Sequence, residues 1–131
     1  MSAKKNMIVK INWALVIGYM IIVFYLSSVT LQFPEIDKID PNKYILHALT
    51  YGGLGFLCLR ATYNWKKSFI ISTLYGILME INQIFIPFRS ASFGDATANA
   101  IGSFLGSFVI YFVLTRFEYF KGWKFIIGEK S

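Results

Sequence analysis

The sequence predicts an all-α, polytopic membrane protein: a single domain of 131 residues built as a bundle of four transmembrane helices. Three observations carry that prediction. The chain is 56% apolar and 18% aromatic with 15% charged residues, whereas a soluble domain carries about a quarter charged and under half apolar. The apolar residues fall into four runs, each near the ~20 residues that a helix needs to span ~30 Å of hydrocarbon. Between the runs lie short polar or proline-containing pieces. Disorder, a coiled coil and a water-soluble enzyme all fit this balance poorly.

The first span is read over 11–31, behind a basic start at Lys4, Lys5 and Lys10. A signal peptide shows the same order, but its apolar stretch is about 7–15 residues long and ends at a small-x-small cleavage site. This run is longer and Ser27-Ser28-Val29 offers no clear site, so a retained helix is expected. Residues 32–42 hold Pro34 and Pro41 among Glu35, Asp37, Lys38 and Asp40. Prolines cannot donate to a helix ladder, so this is a solvated connection. The second span is read over 44–63, a turn over 64–67, the third span over 68–86, a turn over 87–94 opened by Pro87, and the fourth span over 96–117.

Orientation follows from the cations. Lys4, Lys5 and Lys10, then Arg60, Lys66 and Lys67, then Arg116, Lys121, Lys124 and Lys130 make up ten of the thirteen Lys and Arg residues. These lie at the two termini and the second connection, so both termini are expected in the cytoplasm of a multi-pass plasma-membrane protein. The bias argues against a dual-topology transporter, whose connections are nearly balanced. The net charge of +6 suits a nucleic-acid partner when clustered on a soluble domain. Here it is spread between apolar runs, so no nucleic acid is expected. Cys58, the single cysteine, reads as a small packed hydrophobe.

Ionisable groups inside an apolar bundle are costly and mark function. Glu80 and Gln83 share a face of the third helix, and His47, Tyr51 and Gly55 form a four-residue stripe on the second. Asp95 opens the fourth helix, with Asn99, Gly102 and Gly106 on one face. Arg89 lies in the connection between the third and fourth helices. Together the topology and spacing bring His47, Tyr51, Glu80, Gln83, Arg89, Asp95 and Asn99 to one depth, as a polar pocket open to the extracytoplasmic side.

Each has a plainer use. Asp95 is placed to cap the fourth helix, His47 can hydrogen-bond at the interface, and Tyr51 can belong to an aromatic belt. Gly102 and Gly106, with Ala98, make a small-xxx-small pattern for close packing, within the monomer or in a homodimer. Glu80 resists such a reading best: it suits a general acid, or a partner that holds an Arg89 guanidinium against phosphate. The plainer alternative is an architectural Glu80–Arg89 tie. No cysteine or two-histidine cluster is present, so neither a structural zinc nor another cofactor is expected.

Several segments resemble the VanZ-like family of small bacterial membrane proteins: Phe24-Tyr25-Leu26-Ser27-Ser28, Asp40-Pro41-Asn42-Lys43 to His47 and Tyr51, Glu80-Ile81-Asn82-Gln83 through Pro87-Phe88-Arg89, and Asp95 to Asn99-Ala100-Ile101-Gly102. The Glu-x-x-Gln…Pro-x-Arg…Asp-x-x-x-Asn-x-x-Gly run is its specific part. The resemblance implies a bacterial plasma-membrane protein, with some members linked to resistance against lipid-tailed glycopeptides such as teicoplanin.

Three functions compete on this reading. The first is an outer-leaflet site that binds or modifies an anionic envelope lipid or lipid-linked cell-wall precursor, with Glu80 or His47 as acid/base, Arg89 as phosphate clamp, and Asp95 and Asn99 as orienting groups. The second is a proton-coupled transporter working through Glu80, against which the cytoplasmic halves are expected to offer no polar relay. The third is a non-catalytic partner of a larger envelope protein, docked through the Gly102/Gly106 face.

Overall fold

In the computed structural model, residues 3–29, 41–87 and 91–116 are described, and they are almost entirely helical. The elements are α1 (Ala3–Ser28), α2 (Pro41–Thr62), α3 (Trp65–Ile84) and α4 (Phe93–Phe104). From α4 the chain runs through one π-helical turn (Leu105–Val109) into α5 (Ile110–Arg116). Residues 93–116 are thus one rod, and it and α1 are long and apolar enough to cross a membrane. At 1.5 Å per residue, the 22 residues of α2 and 20 of α3 reach about 30 Å, but both are less apolar.

The boundaries depart from the expected ones for local reasons. The first helix starts at Ala3 and ends at Ser28. Pro41 lies in the first turn of α2, where its missing N–H costs nothing, so that helix begins three residues before the expected start. The turn expected over 64–67 shrinks to Tyr63 and Asn64. Tyr63 takes the left-handed φ of 55° that ends a helix, and Asn64 Oδ1 accepts from the amides of Lys66 and Lys67 at 3.0 and 3.1 Å, starting α3 at once. The last α3 residue is Ile84, three before Pro87.

Asp95 is not the cap of α4. Ser92 is: its Oγ accepts from the amides of Gly94 and Asp95 at 3.1 and 3.4 Å. The helix therefore begins at Phe93, with Asp95 in its first turn.

Burial is reversed relative to a soluble bundle. Large apolar side chains such as Leu49, Leu74, Phe85 and Phe93 face outward, while Asn12, Ser68, Ser72, Glu80, Gln83, Asp95, Asn99, Ser103 and Ser107 are buried. Water would penalise such an exterior, and hydrocarbon does not. Such an exterior suits a membrane.

The cross-links show antiparallel neighbours in up-down-up-down order. Asn12 Nδ2 donates to the Arg60 carbonyl at 2.9 Å and the Tyr19 hydroxyl to the Thr50 carbonyl at 2.7 Å, tying α1 to α2. Tyr75 donates to the Met20 carbonyl at 2.5 Å, tying α3 to α1. The apolar core consists of Val16, Val23, Tyr51, Leu54, Cys58, Ala61 and Met79.

α2 and α4 meet backbone to backbone. A Cβ added at Gly102 would overlap the Ala48 carbonyl, and one at Gly106 the Gly52 carbonyl. Both glycines are used within the chain, and the face they present is covered by α2. At the far end a polar seam continues this packing: Ser68 Oγ donates to the Gly55 carbonyl at 2.5 Å and meets Ser107 Oγ at 2.8 Å, and Ser72 donates to the Ser68 carbonyl at 2.8 Å. The helix halves expected to offer no polar relay bury several hydroxyls, and serine is small enough for close approach.

Gly106→Ala is expected to destabilise the bundle by about 1–3 kcal/mol through overpacking. Gly18→Ala, where an added Cβ meets nothing within 4 Å, is expected to stabilise it by up to about 1 kcal/mol from helix propensity. Thermal melts of the two variants in detergent check the contrast.

Candidate functional site

The site lies at the end of the bundle where α3 gives way to α4. Glu80 is four residues, or about 6 Å, inside the end of α3. His47 comes from α2, and Asp95 and Asn99 come from successive turns of α4. Gly76, one turn before Glu80, lets α4 and Tyr51 approach: a Cβ there would stand 3.1 Å from both the Asn99 Cβ and a Tyr51 ring carbon.

Asn99 is the hub. Its Nδ2 donates to Glu80 Oε1 at 3.3 Å, so the amide must turn Oδ1 toward His47 Nδ1, 2.8 Å away. An amide oxygen only accepts, so the imidazole donates from Nδ1, and in the neutral ring Nε2 keeps the lone pair. Glu80 is otherwise loosely held: the Ser92 amide reaches Oε2 at 3.5 Å and His47 Nδ1 stands 3.8 Å from Oε1.

Asp95 is fully buried. Lys43 Nζ approaches its Oδ2 to 2.7 Å as an ion pair without hydrogen-bond alignment, and Oδ1 has no hydrogen-bond partner. The Lys43 side chain is half exposed. Together, His47, Glu80 and Asp95 bring one ligand-type atom each to within 4.8 Å of one another.

Beside this cluster, a cavity of about 340 Å³ lies between α1, α2 and α3, a volume suited to a small ligand or part of a larger one. Its walls include Val23, Leu26 and Ser27 of α1, Leu46, His47 and Tyr51 of α2, and Gln83 of α3. Leu26 and Leu46 are exposed on the outer surface, so the cavity opens sideways through the apolar exterior. His47 belongs to both cavity wall and cluster.

The structure thus brings His47, Glu80, Asp95 and Asn99 together. Gln83 and Tyr51 are near but differently employed: Gln83 Nε2 donates to Ser27 Oγ at 3.0 Å, fastening α1, and Tyr51 is part of the apolar core. Arg89 lies outside the described residues. Sequence reasoning missed Lys43 and Ser92. Lys43 is four residues before His47 and extends the 47, 51, 55 stripe, a signal that was present. Ser92 stands three residues before Asp95, the spacing of a capping box, yet the Asp95 carboxylate does not return that hydrogen bond.

The chain's single histidine makes the hub testable. In untagged protein with a neutral imidazole, ¹⁵N NMR is expected to show the Nδ1–H tautomer. In Asn99→Ala the preference is expected to be lost, with the Nε2–H form gaining population. An Nε2–H ring in the unaltered protein would show that the hub is wired otherwise.

Comparison with curated proteins and with solved structures finds no match for this chain. A family model described as VanZ/LLP1 matches residues 5–115, a span that contains all of the residues of the site. By that match across most of its length, the chain belongs to the VanZ/LLP1 family.

Proposed function

We propose that the protein spans the bacterial plasma membrane four times with both termini in the cytoplasm, and that its site, at the outer leaflet, binds or modifies an anionic envelope lipid or lipid-linked cell-wall precursor. Family membership makes this a VanZ-like envelope protein. The observation that carries the lipid reading is His47, which stands at once in the wall of a laterally open cavity and in a buried polar cluster. An acyl chain entering from the bilayer meets apolar walls, and the head group it carries comes to rest against imidazole, amide and Lys43 ammonium groups. Arg89, by its position in the connection after α3, supplies a guanidinium for phosphate at the same end. If the bound lipid is modified, Glu80 and His47 are the acid/base pair: His47 Nε2 holds a free lone pair, and Glu80 sits behind it. The physiological consequence is resistance to lipid-tailed glycopeptides such as teicoplanin.

Proton-coupled transport through Glu80 draws on the seam of Ser68, Ser72 and Ser107. Those hydroxyls are engaged with backbone carbonyls and with one another, and none of them titrates near neutral pH. The seam therefore supports packing more than conduction.

Resistance to teicoplanin in a host expressing single variants tests the proposal, with membrane abundance followed by immunoblot. Glu80→Gln and His47→Ala are expected to abolish the effect at normal abundance, and Arg89→Lys to reduce it, since an ammonium cannot replace bidentate contact. Full resistance in both Glu80→Gln and Arg89→Lys would overturn the site. Lipid co-purified with the protein and identified by mass spectrometry is expected to carry a phosphate.

A further inference from the structure

A phosphate-binding site with two buried carboxylates has a charge problem. Among the described residues Glu80 and Asp95 contribute two formal negative charges and Lys43 returns one, so the cluster at His47 is net negative, and the Arg89 of the lipid reading brings it only to neutrality. A half-exposed lysine already paired with Asp95 does not correct this.

We propose that His47, Glu80 and Asp95 form a binding site for a divalent transition cation, Mn²⁺ or Zn²⁺. Three features point there. The ligand set is mixed, one imidazole and two carboxylates contributed by three different helices, with one ligand atom from each within 4.8 Å of the others. Imidazole with carboxylate suits these cations, whereas Ca²⁺ and Mg²⁺ favour oxygen alone. Independently of that grouping, Asp95 Oδ1 is an acceptor with no hydrogen-bond partner on a fully buried side chain, which a structure tolerates when something else fills its coordination.

The geometry closes with small movements. Ligands at about 2.0–2.2 Å from a common ion lie roughly 3–4 Å from each other. The Glu80 carboxylate, held by hydrogen bonds of 3.3 and 3.5 Å, has the slack to move that far. The ring nitrogen that faces Glu80 is Nδ1, so ligation moves the imidazole proton to Nε2 and displaces the Asn99 amide oxygen from Nδ1, while Asn99 keeps its own hydrogen bond to Glu80.

Three protein ligands leave at least one coordination position open. With the cation in place the cluster is net positive, and the open position accepts a phosphate oxygen. The cation site stands on its ligands alone, whereas this use of it rests on the lipid reading above.

The test uses the full chain in a maltoside detergent without added lipid or phosphate, after chelator treatment. Mn²⁺ titration followed by electron paramagnetic resonance is expected to show one saturable site per chain. Glu80→Gln and Asp95→Asn, which keep side-chain shape, are each expected to weaken binding at least tenfold. Lys43→Ala is expected to tighten it, because it frees Asp95 Oδ2 from a competing cation. In the unaltered protein, Zn²⁺ is expected to shift the ¹⁵N resonances of the single histidine, a readout that depends on no variant folding. Absence of saturable Mn²⁺ binding together with an unmoved histidine signal would overturn the cation site and leave the lipid reading to its own resistance assay. Binding that is unchanged in both carboxylate variants would overturn it as well.

Discussion

Everything in this bundle depends on how closely α4 lies on α2. At Gly102 and Gly106 there is no room for a side chain between the helices, because the carbonyls of Ala48 and Gly52 occupy it. In hydrocarbon, apolar side chains gain little by leaving the solvent, so helices associate through dispersion and polar contact, both of which fall off steeply with distance. The glycine seam brings the two backbones within that range. At the end of the seam His47 adjoins Ala48 and Asn99 lies three residues before Gly102, so their hydrogen bond depends on the same close approach. The polar cluster is in this sense a product of missing side chains.

A good part of this was legible in the residues. Four apolar runs located four helical rods, and the four-residue recurrence of His47 and Tyr51, and of Asp95 and Asn99, placed the relevant groups on single faces. Helical periodicity is strong enough to do this because it is local. It does not report which neighbour a face meets. Gln83 shares a face with Glu80, yet its amide bonds to Ser27 of α1. Nor does it rank competing caps: Asp95 and Ser92 are both good N-cap residues, and the serine taking that place leaves the carboxylate free to turn inward. That His47, Glu80 and Asp95 share one depth follows from topology, but their separations of 33 and 15 positions carry no spacing that would mark them as a ligand set.

The serines show a different limit. Ser68, Ser72, Ser103 and Ser107 sit in apolar stretches, where a single hydroxyl barely changes hydropathy. Their helical spacing of four on α3, and again from α4 into the π-helical turn, sets two small-residue stripes face to face. In water such stripes would be a weak packing surface. Beneath the cluster they extend the close approach begun at the glycines, so the same geometry runs along the length of α4.

The joint between α2 and α3 is two residues long, Tyr63 and Asn64. These are also the two rods whose polar content lowers their own tendency to enter lipid, since α2 carries Lys43 and His47 and α3 carries Glu80. On the four-span proposal, a connection this tight would let them partition as one hairpin, with imidazole and carboxylate side by side during biogenesis. Neither rod would then have to bear its burial cost alone at the translocon. Lengthening the joint would leave the finished contacts untouched while separating the two insertion events, so its brevity bears on assembly more than on the mature site.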